Sequence, residues 1–308
     1  MSLTDYDLVI VGAGPAGLCA GIYAARAKMN VLILEKTAPG GQIIITDWIE
    51  NYPGFPDGIS GFDLGAKMLH QAKNLGVEID TSEVLSMEIS EERKLLHLKG
   101  RIISSKTVLI ATGAYPRRLN IGEDKFIGKG VSFCATCDAP FFKGKKVVAV
   151  GGGDTAVQEA MYLTKFAEKV YLVHRRDELR AAKILRERAF KNDKIEFVWD
   201  SVVSGMSGFF NVENVRIKNV KTGKEKTIQA DGCFIWIGII PNTSFLGDFL
   251  ELDKSGAIVT DSNMATSVPG IFAAGDVRAT PLRQVATAVS DGAIAVMSAE
   301  HFIENTSA

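Results

Sequence analysis

The chain of 308 residues is long enough for two domains of ordinary size. Its 46% hydrophobic and 23% charged residues exclude wholesale disorder, and a net charge of −1 offers no basic field to nucleic acid or an anionic membrane. Four cysteines at this length exclude a disulfide scaffold, while 30 glycines signal many tight turns and close backbone approaches.

From Leu8 to Ala25 the chain carries no charge, which is long enough for a membrane span, but Gly12, Gly14, Pro15, Gly17 and Gly21 interrupt it. Met1–Asp7 lacks the basic segment of a signal peptide. We therefore expect neither secretion nor an anchor, and a reducing cytoplasm, where a close cysteine pair is catalytic or metal-binding rather than structural.

Asp7–Val11 reads as an apolar strand running into Gly12-Ala-Gly14-Pro15-Ala16-Gly17, then a helix over Leu18–Lys28 and a strand over Asn30–Leu34 ending at Glu35. In such a unit the first glycine permits a tight turn, the second lets backbone approach a pyrophosphate, and the third lets helix and strand pack closely. The helix start offers free N–H groups to the phosphates. Thr107–Gly113 closes the unit with a buried strand and the small-residue turn Ala111-Thr112-Gly113.

A second copy begins with the strand Lys145–Val150 and the turn Gly151-Gly-Gly153-Asp154-Thr155-Ala156. A helix to about Ala167 and a strand over Lys169–Val173 follow, and Asp231–Gly238 closes the unit. Glu35 and His174 each lie 21 residues past the middle glycine of their own turn. A carboxylate there accepts hydrogen bonds from ribose hydroxyls, so the first site is expected to take FAD or NAD. His174-Arg175-Arg176, with Arg180 beyond, suits a 2′-phosphate, so the second is expected to take NADPH; the plainer alternative is a solvated basic face. A third element, Gly270–Asp276, has no turn-and-helix partner and is assigned back to the first domain. The expected fold is α/β, with two Rossmann-like nucleotide-binding domains of three-layer β/β/α form. Residues 1–114 with 245–308 form the FAD-binding domain, and residues 115–244, inserted into it, form the NADPH-binding domain. The linkers near Ala114–Arg118 and Ile239–Ser244 are expected to act as a hinge.

Phe133-Cys134-Ala-Thr-Cys137-Asp138 precedes the second glycine turn. A zinc site needs two more ligands, but Cys19 and Cys233 lie in apolar segments and His70, His97, His174 and His301 are scattered, so no metal is expected. A chance pair of buried cysteines is the other alternative. Two nucleotide sites that supply reducing equivalents favour a redox disulfide. A disulfide accepts hydride poorly, so a flavin between nicotinamide and sulfur favours FAD at the first site. Asp138 is positioned as general acid and base, a role compatible with a helix-capping carboxylate. Trp48, Trp199 and Trp236 carry no signal separable from packing.

Together Gly12–Gly17, Gly40-Gly-Gln42, Glu50-Asn-Tyr-Pro-Gly54, Cys134–Asp138, Gly151–Ala156, His174–Asp177, Gly275-Asp276 and Arg283-Gln284 closely resemble the low-molecular-weight thioredoxin reductases of bacteria and archaea, over essentially the whole chain. The resemblance implies a homodimer with one FAD per subunit, carrying electrons from NADPH through flavin and the cysteines to thioredoxin. It implies that Cys137 faces the flavin and Cys134 exchanges with thioredoxin, and that the inserted domain rotates between two states. FAD would be held by Gly12, Gly14, Pro15, Ala16, Gly17, Glu35, Lys36, Gly40, Gly41, Gln42, Asn51, Val84, Ala111, Thr112, Gly113, Gly275, Asp276, Arg283, Gln284 and Val285. NADPH would be held by Gly151, Gly153, Asp154, Thr155, Ala156, His174, Arg175, Arg176 and Arg180.

One departure is Ala139-Pro140 after Asp138, where a glycine is expected; a proline there fixes a backbone angle beside the redox pair and bears on partner docking. The glutathione-reductase type carries its cysteines near the first glycine turn, the alkyl hydroperoxide reductase flavoprotein has an added thioredoxin-like part, and a ferredoxin–NADP reductase lacks both cysteines. The remaining alternatives are a reductase of another C-x-x-C protein, glutaredoxin-like or peroxiredoxin-linked, and a flavin-bound redox sensor.

Overall fold

The computed structural model describes residues 5–46, 49, 51–90 and 93–306. Met1–Thr4, Trp48, Glu50 and the last two residues of the expected first domain lie outside the described residues. The chain begins with β1 (Asp5–Val11), α1 (Pro15–Arg26), β2 (Val31–Glu35), α2 (Gly61–Asn74), β3 (Glu78–Thr81), β4 (Ser86–Ile89), β5 (Lys94–Leu98), β6 (Arg101–Ile110) and β7 (Ala114–Pro116). Next come β8 (Val131–Ser132), α3 (Ala135–Asp138), β9 (Lys146–Gly151), α4 (Asp154–Leu163), β10 (Lys169–Val173), α5 (Lys183–Phe190) and β11 (Ile195–Val198). It ends with β12 (Ser201–Ser207), β13 (Asn214–Asn219), β14 (Glu225–Gln229), β15 (Gly232–Trp236), β16 (Ile239–Pro241), β17 (Ile271–Ala273) and α6 (Val285–Thr306). Two compact units result, Met1–Tyr115 with Ile240–Ala308 (unit 1) and Pro116–Ile239 (unit 2).

In unit 1 the alternation along β1 decides the layers. Leu8 and Ile10 pack with Leu18 of α1, Leu64 and Met68 of α2 and Val296 of α6. Val9 and Val11 face the other side, with Met87, Leu96 and Leu98 of the β4–β5 hairpin. A strand covered on both faces buries both sets, as its period of two requires. Each fully buried aliphatic side chain contributes about 1.5–3 kcal/mol relative to exposure, so a one-residue slip that sent each to the wrong layer would be costly. The long β6 serves two ladders. Its first half pairs antiparallel with β5, and Val108–Ile110 pair parallel with β17, which completes the parallel order β3-β2-β1-β6-β17.

Unit 2 repeats the plan with the parallel order β11-β10-β9-β15-β8. Val147 and Ala149 of β9 face Val157, Ala160 and Leu163 of α4, while Val148 and Val150 face Val203, Val215 and Ile228 of the antiparallel β12-β13-β14 sheet. Two helices differ from expectation. α1 starts at Pro15, because proline's fixed φ suits a first turn where its missing N–H is not needed, and it stops at Arg26 before Lys28 takes a left-handed φ of 56°. α4 stops at Leu163 rather than Ala167, as the chain tightens into bonds from Lys165 N–H to Tyr162 and Phe166 N–H to Leu163. No helix among the described residues is long and apolar enough to cross a membrane.

Candidate active site

The first glycine turn closes over bare backbone. A Cβ on Gly12, whose φ is 108°, would lie 2.5 Å from the Ala111 carbonyl oxygen, and one on Gly17 would lie 1.8 Å from the Gly12 oxygen. Gly40 N–H donates to the Ala13 carbonyl at 2.8 Å, and Gly41 packs against Gly14 and Pro15. Glu35 ends β2 buried, accepting from Ala13 N–H at 2.8 Å and Thr37 N–H at 2.9 Å. Gly275, just past β17, sits against Ala16, and its N–H donates to Asp291 of α6, which also accepts from Arg278. Gly12, Gly14, Pro15, Ala16, Gly17, Glu35, Gly40, Gly41, Ala111 and Gly275 thus meet beyond the C-terminal ends of unit 1's parallel strands, where ligands of doubly wound sheets bind.

The other expected residues of this unit lie around that centre or apart from it. Asn51 donates to the Gln284 amide oxygen at 2.9 Å, and Thr112 exchanges hydrogen bonds with Asn242. Arg283 reaches the carbonyls of Asp276, Arg278 and Thr280. Burial pushes the Asp276 carboxyl up to about 6, against the pull of Arg283. Gly113 is half-buried, Lys36 and Gln42 are exposed, Val285 opens α6, and Val84 packs in the core beside Val11 and Leu34.

The second glycine turn is open on its outer side. A Cβ on Gly153 would meet no heavy atom within 4 Å. The segment after β10 folds back over the turn, with the N–H groups of Arg180 and Ala181 donating to the Gly152 carbonyl and Ala182 N–H to Asp154 at 2.7 Å. Thr155 is exposed and Ala156 buried, and Gly151 lies against the end of β15 at Trp236. His174 is buried against Gly152, and its Nε2 has no hydrogen-bond partner. Burial, with Arg180, Arg176 and Arg175 nearby, holds its imidazole below the ordinary range and so neutral. The three arginines are exposed around it.

Cys134 and Cys137 form a disulfide, with Cα atoms 5.4 Å apart, where β8 gives way to α3. Side chains from three elements bond to this turn. Ser132 Oγ donates to Asp138 Oδ2 and accepts from Cys134 N–H at 3.1 Å. Glu159 of α4 accepts from Ala135 N–H at 2.9 Å, and Trp236 Nε1 donates to the Phe133 carbonyl at 3.0 Å. Ser132, Glu159 and Trp236 were not legible as site residues. The one sequence signal was at Glu159, an acid three residues after Ala156 and four before Leu163, on the apolar face of its helix. Ala139 takes a right-handed φ of −54° and is fully buried, so alanine fits without strain where a glycine was expected. Cys19 and Cys233 are buried, and burial pushes the Cys19 thiol up to about 11 and Cys233 higher still. Among the described residues no group of three or more His, Cys, Asp or Glu is placed to hold a metal ion.

A family model described as pyridine nucleotide-disulphide oxidoreductase matches residues 6–292. A thioredoxin reductase of Peptoclostridium acidaminophilum is 47% identical over 306 residues, covering 97% of each chain. The crystal structure of thioredoxin reductase from Streptococcus pyogenes is 48% identical with a TM-score of 0.93, covering 99% of this chain and 100% of that one. Thioredoxin reductase from Giardia duodenalis is 37% identical with a TM-score of 0.92, covering 98% of this chain and 99% of that one.

Proposed function

Because the chain belongs to the pyridine nucleotide-disulphide oxidoreductase family, we propose that it passes electrons from NADPH, by way of FAD, through its Cys134–Cys137 disulfide to oxidised thioredoxin. We further propose that it does so as a homodimer in the cytoplasm, with unit 1 holding FAD and unit 2 holding NADPH. The observation that carries the reading is the half-exposed disulfide beside an acid, built into the unit that also presents the Gly153 turn and the arginines.

The residues fit both groups. Bare backbone at Gly14 and Gly41, beside a buried carboxylate at Glu35, suits a pyrophosphate followed by a ribose. In unit 2 the open face of Gly153, the unpartnered Nε2 of His174 and the exposed Arg175, Arg176 and Arg180 suit a pyrophosphate followed by a 2′-phosphate. When bound, the flavin supplies the two-electron relay between a hydride donor and a disulfide.

The chain's own part is thiol exchange. Cys134, as thiolate, attacks one sulfur of the partner disulfide and displaces the other, forming a mixed disulfide. Cys137 then attacks Cys134 Sγ, which restores the internal disulfide and releases the partner as a dithiol. Asp138 gives a proton to the leaving thiolate and recovers one from the next thiol to ionise. The test is NADPH oxidation by the purified yellow protein, with and without its host's thioredoxin, beside Cys134→Ser. Thioredoxin-dependent turnover that disappears in the variant is expected. A flavin-loaded protein that oxidises no NADPH would overturn the reading and direct attention to another electron donor.

A further inference from the structure

A cysteine at the start of a helix ordinarily gains from the N–H groups there. They stabilise its thiolate, lower its pKa, and so make the disulfide more oxidising, because the reduced form is favoured. At the start of α3 the donors of Cys134, Ala135 and Thr136 are already engaged. Cys134 N–H goes to Ser132 Oγ, and Ala135 N–H goes to the Glu159 carboxylate. Glu159 projects from the second turn of α4, on the face whose other members, Ala156, Ala160 and Leu163, are buried and apolar. An acid on such a face is expensive unless it is hydrogen-bonded. Burial pushes its carboxyl above the ordinary range, and the N–H groups of Ala135 and Thr136 pull it back down.

We propose that Glu159 is a positioning residue that keeps the Cys134–Cys137 dithiol strongly reducing: its carboxylate takes the amide donor at the start of α3 and sets a negative charge against the thiolate. Reduction breaks the S–S bond and adds two electrons, ultimately from the pyridine nucleotide, and two protons. One of the two thiols then ionises to the attacking thiolate. A charge that disfavours that thiolate raises the free energy of the reduced pair and therefore its power to reduce a partner. The inference rests on this pair being the redox centre proposed above.

The test uses holoenzyme, wild type and Glu159→Gln, equilibrated without oxygen in dithiothreitol redox buffers, then quenched and alkylated so that mass reads the thiols of Cys134 and Cys137. The variant is expected to favour the dithiol by roughly tenfold, a midpoint about 30 mV more oxidising for a two-electron couple. Alkylation of reduced Cys134 by iodoacetamide is expected to persist to lower pH in the variant. Glu159→Ala, which leaves no amide in the buried position, must shift the midpoint in the same direction. Equal midpoints for wild type and Glu159→Gln would overturn the proposal, as would a shift in Glu159→Ala alone, which would assign the effect to the hydrogen bond rather than the charge. A wild-type pair that gains no thiols when NADPH is added would instead overturn the functional reading, and this proposal with it.

Discussion

In unit 1 the strand on the far side of the central pair is β17, which comes late in the chain and leads into Gly275 and Asp276. Its counterpart in unit 2 is β8, which comes first in its unit and leads into Cys134 and Asp138. Both are short, both join the parallel sheet through the strand that closes their unit, and both deliver a candidate site loop to the same end of it. One sheet plan therefore carries two different loops. The central strands follow one order, and the fit of the glycine turns, the fifth strand and the residue at the end of the second strand, Glu35 or His174, carry the difference.

The largest test of that difference is at the third small residue of each turn. Gly17→Ala puts a methyl 1.8 Å from the Gly12 oxygen. It is expected to cost on the order of 4 kcal/mol or more and to lose flavin absorbance. Ala156→Gly in the other unit should cost only about 1 kcal/mol in thermal unfolding, the ordinary penalty of a helical glycine. A Gly17→Ala protein as stable as its parent would break the comparison.

Next comes Asp276. Its folded pKa of about 6 stands above the ordinary 3.8, so between those values the folded chain keeps a proton that the unfolded chain has lost. In flavin-free protein this one group's contribution to stability should be full below about pH 4 and fall by about 3 kcal/mol as pH rises through about 6, opposite in sign to that of Asp7, Asp80, Glu123 and Asp253, whose lowered pKa values make them lose stability in acid. Asp276→Asn should flatten that slope in denaturant titrations, and an unchanged slope would show that another group causes it.

Replacing Arg175 and Arg176 together by alanine should raise the KM for NADPH by roughly 10- to 100-fold, about 1.4–2.8 kcal/mol, and leave NADH little changed. Equal losses for the two nucleotides would show that these arginines do not discriminate the 2′-phosphate. The smallest effect is expected at Trp236→Phe, which removes the bond to the Phe133 carbonyl, worth about 1 kcal/mol. Turnover with thioredoxin should drop a few-fold while flavin content stays at the parent level.

The two glycine turns, the strands before and after them and the cysteine pair were legible because each is a local matter. Alternating apolar residues and closely spaced glycines constrain the backbone through neighbours a few positions away, and Gly12–Gly17 shows its purpose within one turn. Even there the ends of α1 and α4 moved, because Pro15, Lys28 and the tightening after Leu163 act residue by residue rather than through a pattern.

What the chain order concealed was the company each loop keeps. The split role of β6, the match between β17 and β8, and the bonds from Glu159 and Trp236 to the redox turn and from Asp291 to Gly275 depend on segments drawn from different parts of the chain. Sequence alone determined the two turns, their contrasting acid and basic partners and the redox pair, since short-range sterics and charge decide those. Tertiary structure decided which strand delivers each loop and which side chains hold it, because a hydrogen bond between residues as far apart as Trp236 and Phe133 has no period or spacing to announce it and exists only once the sheet has brought its donor and acceptor within 3.0 Å.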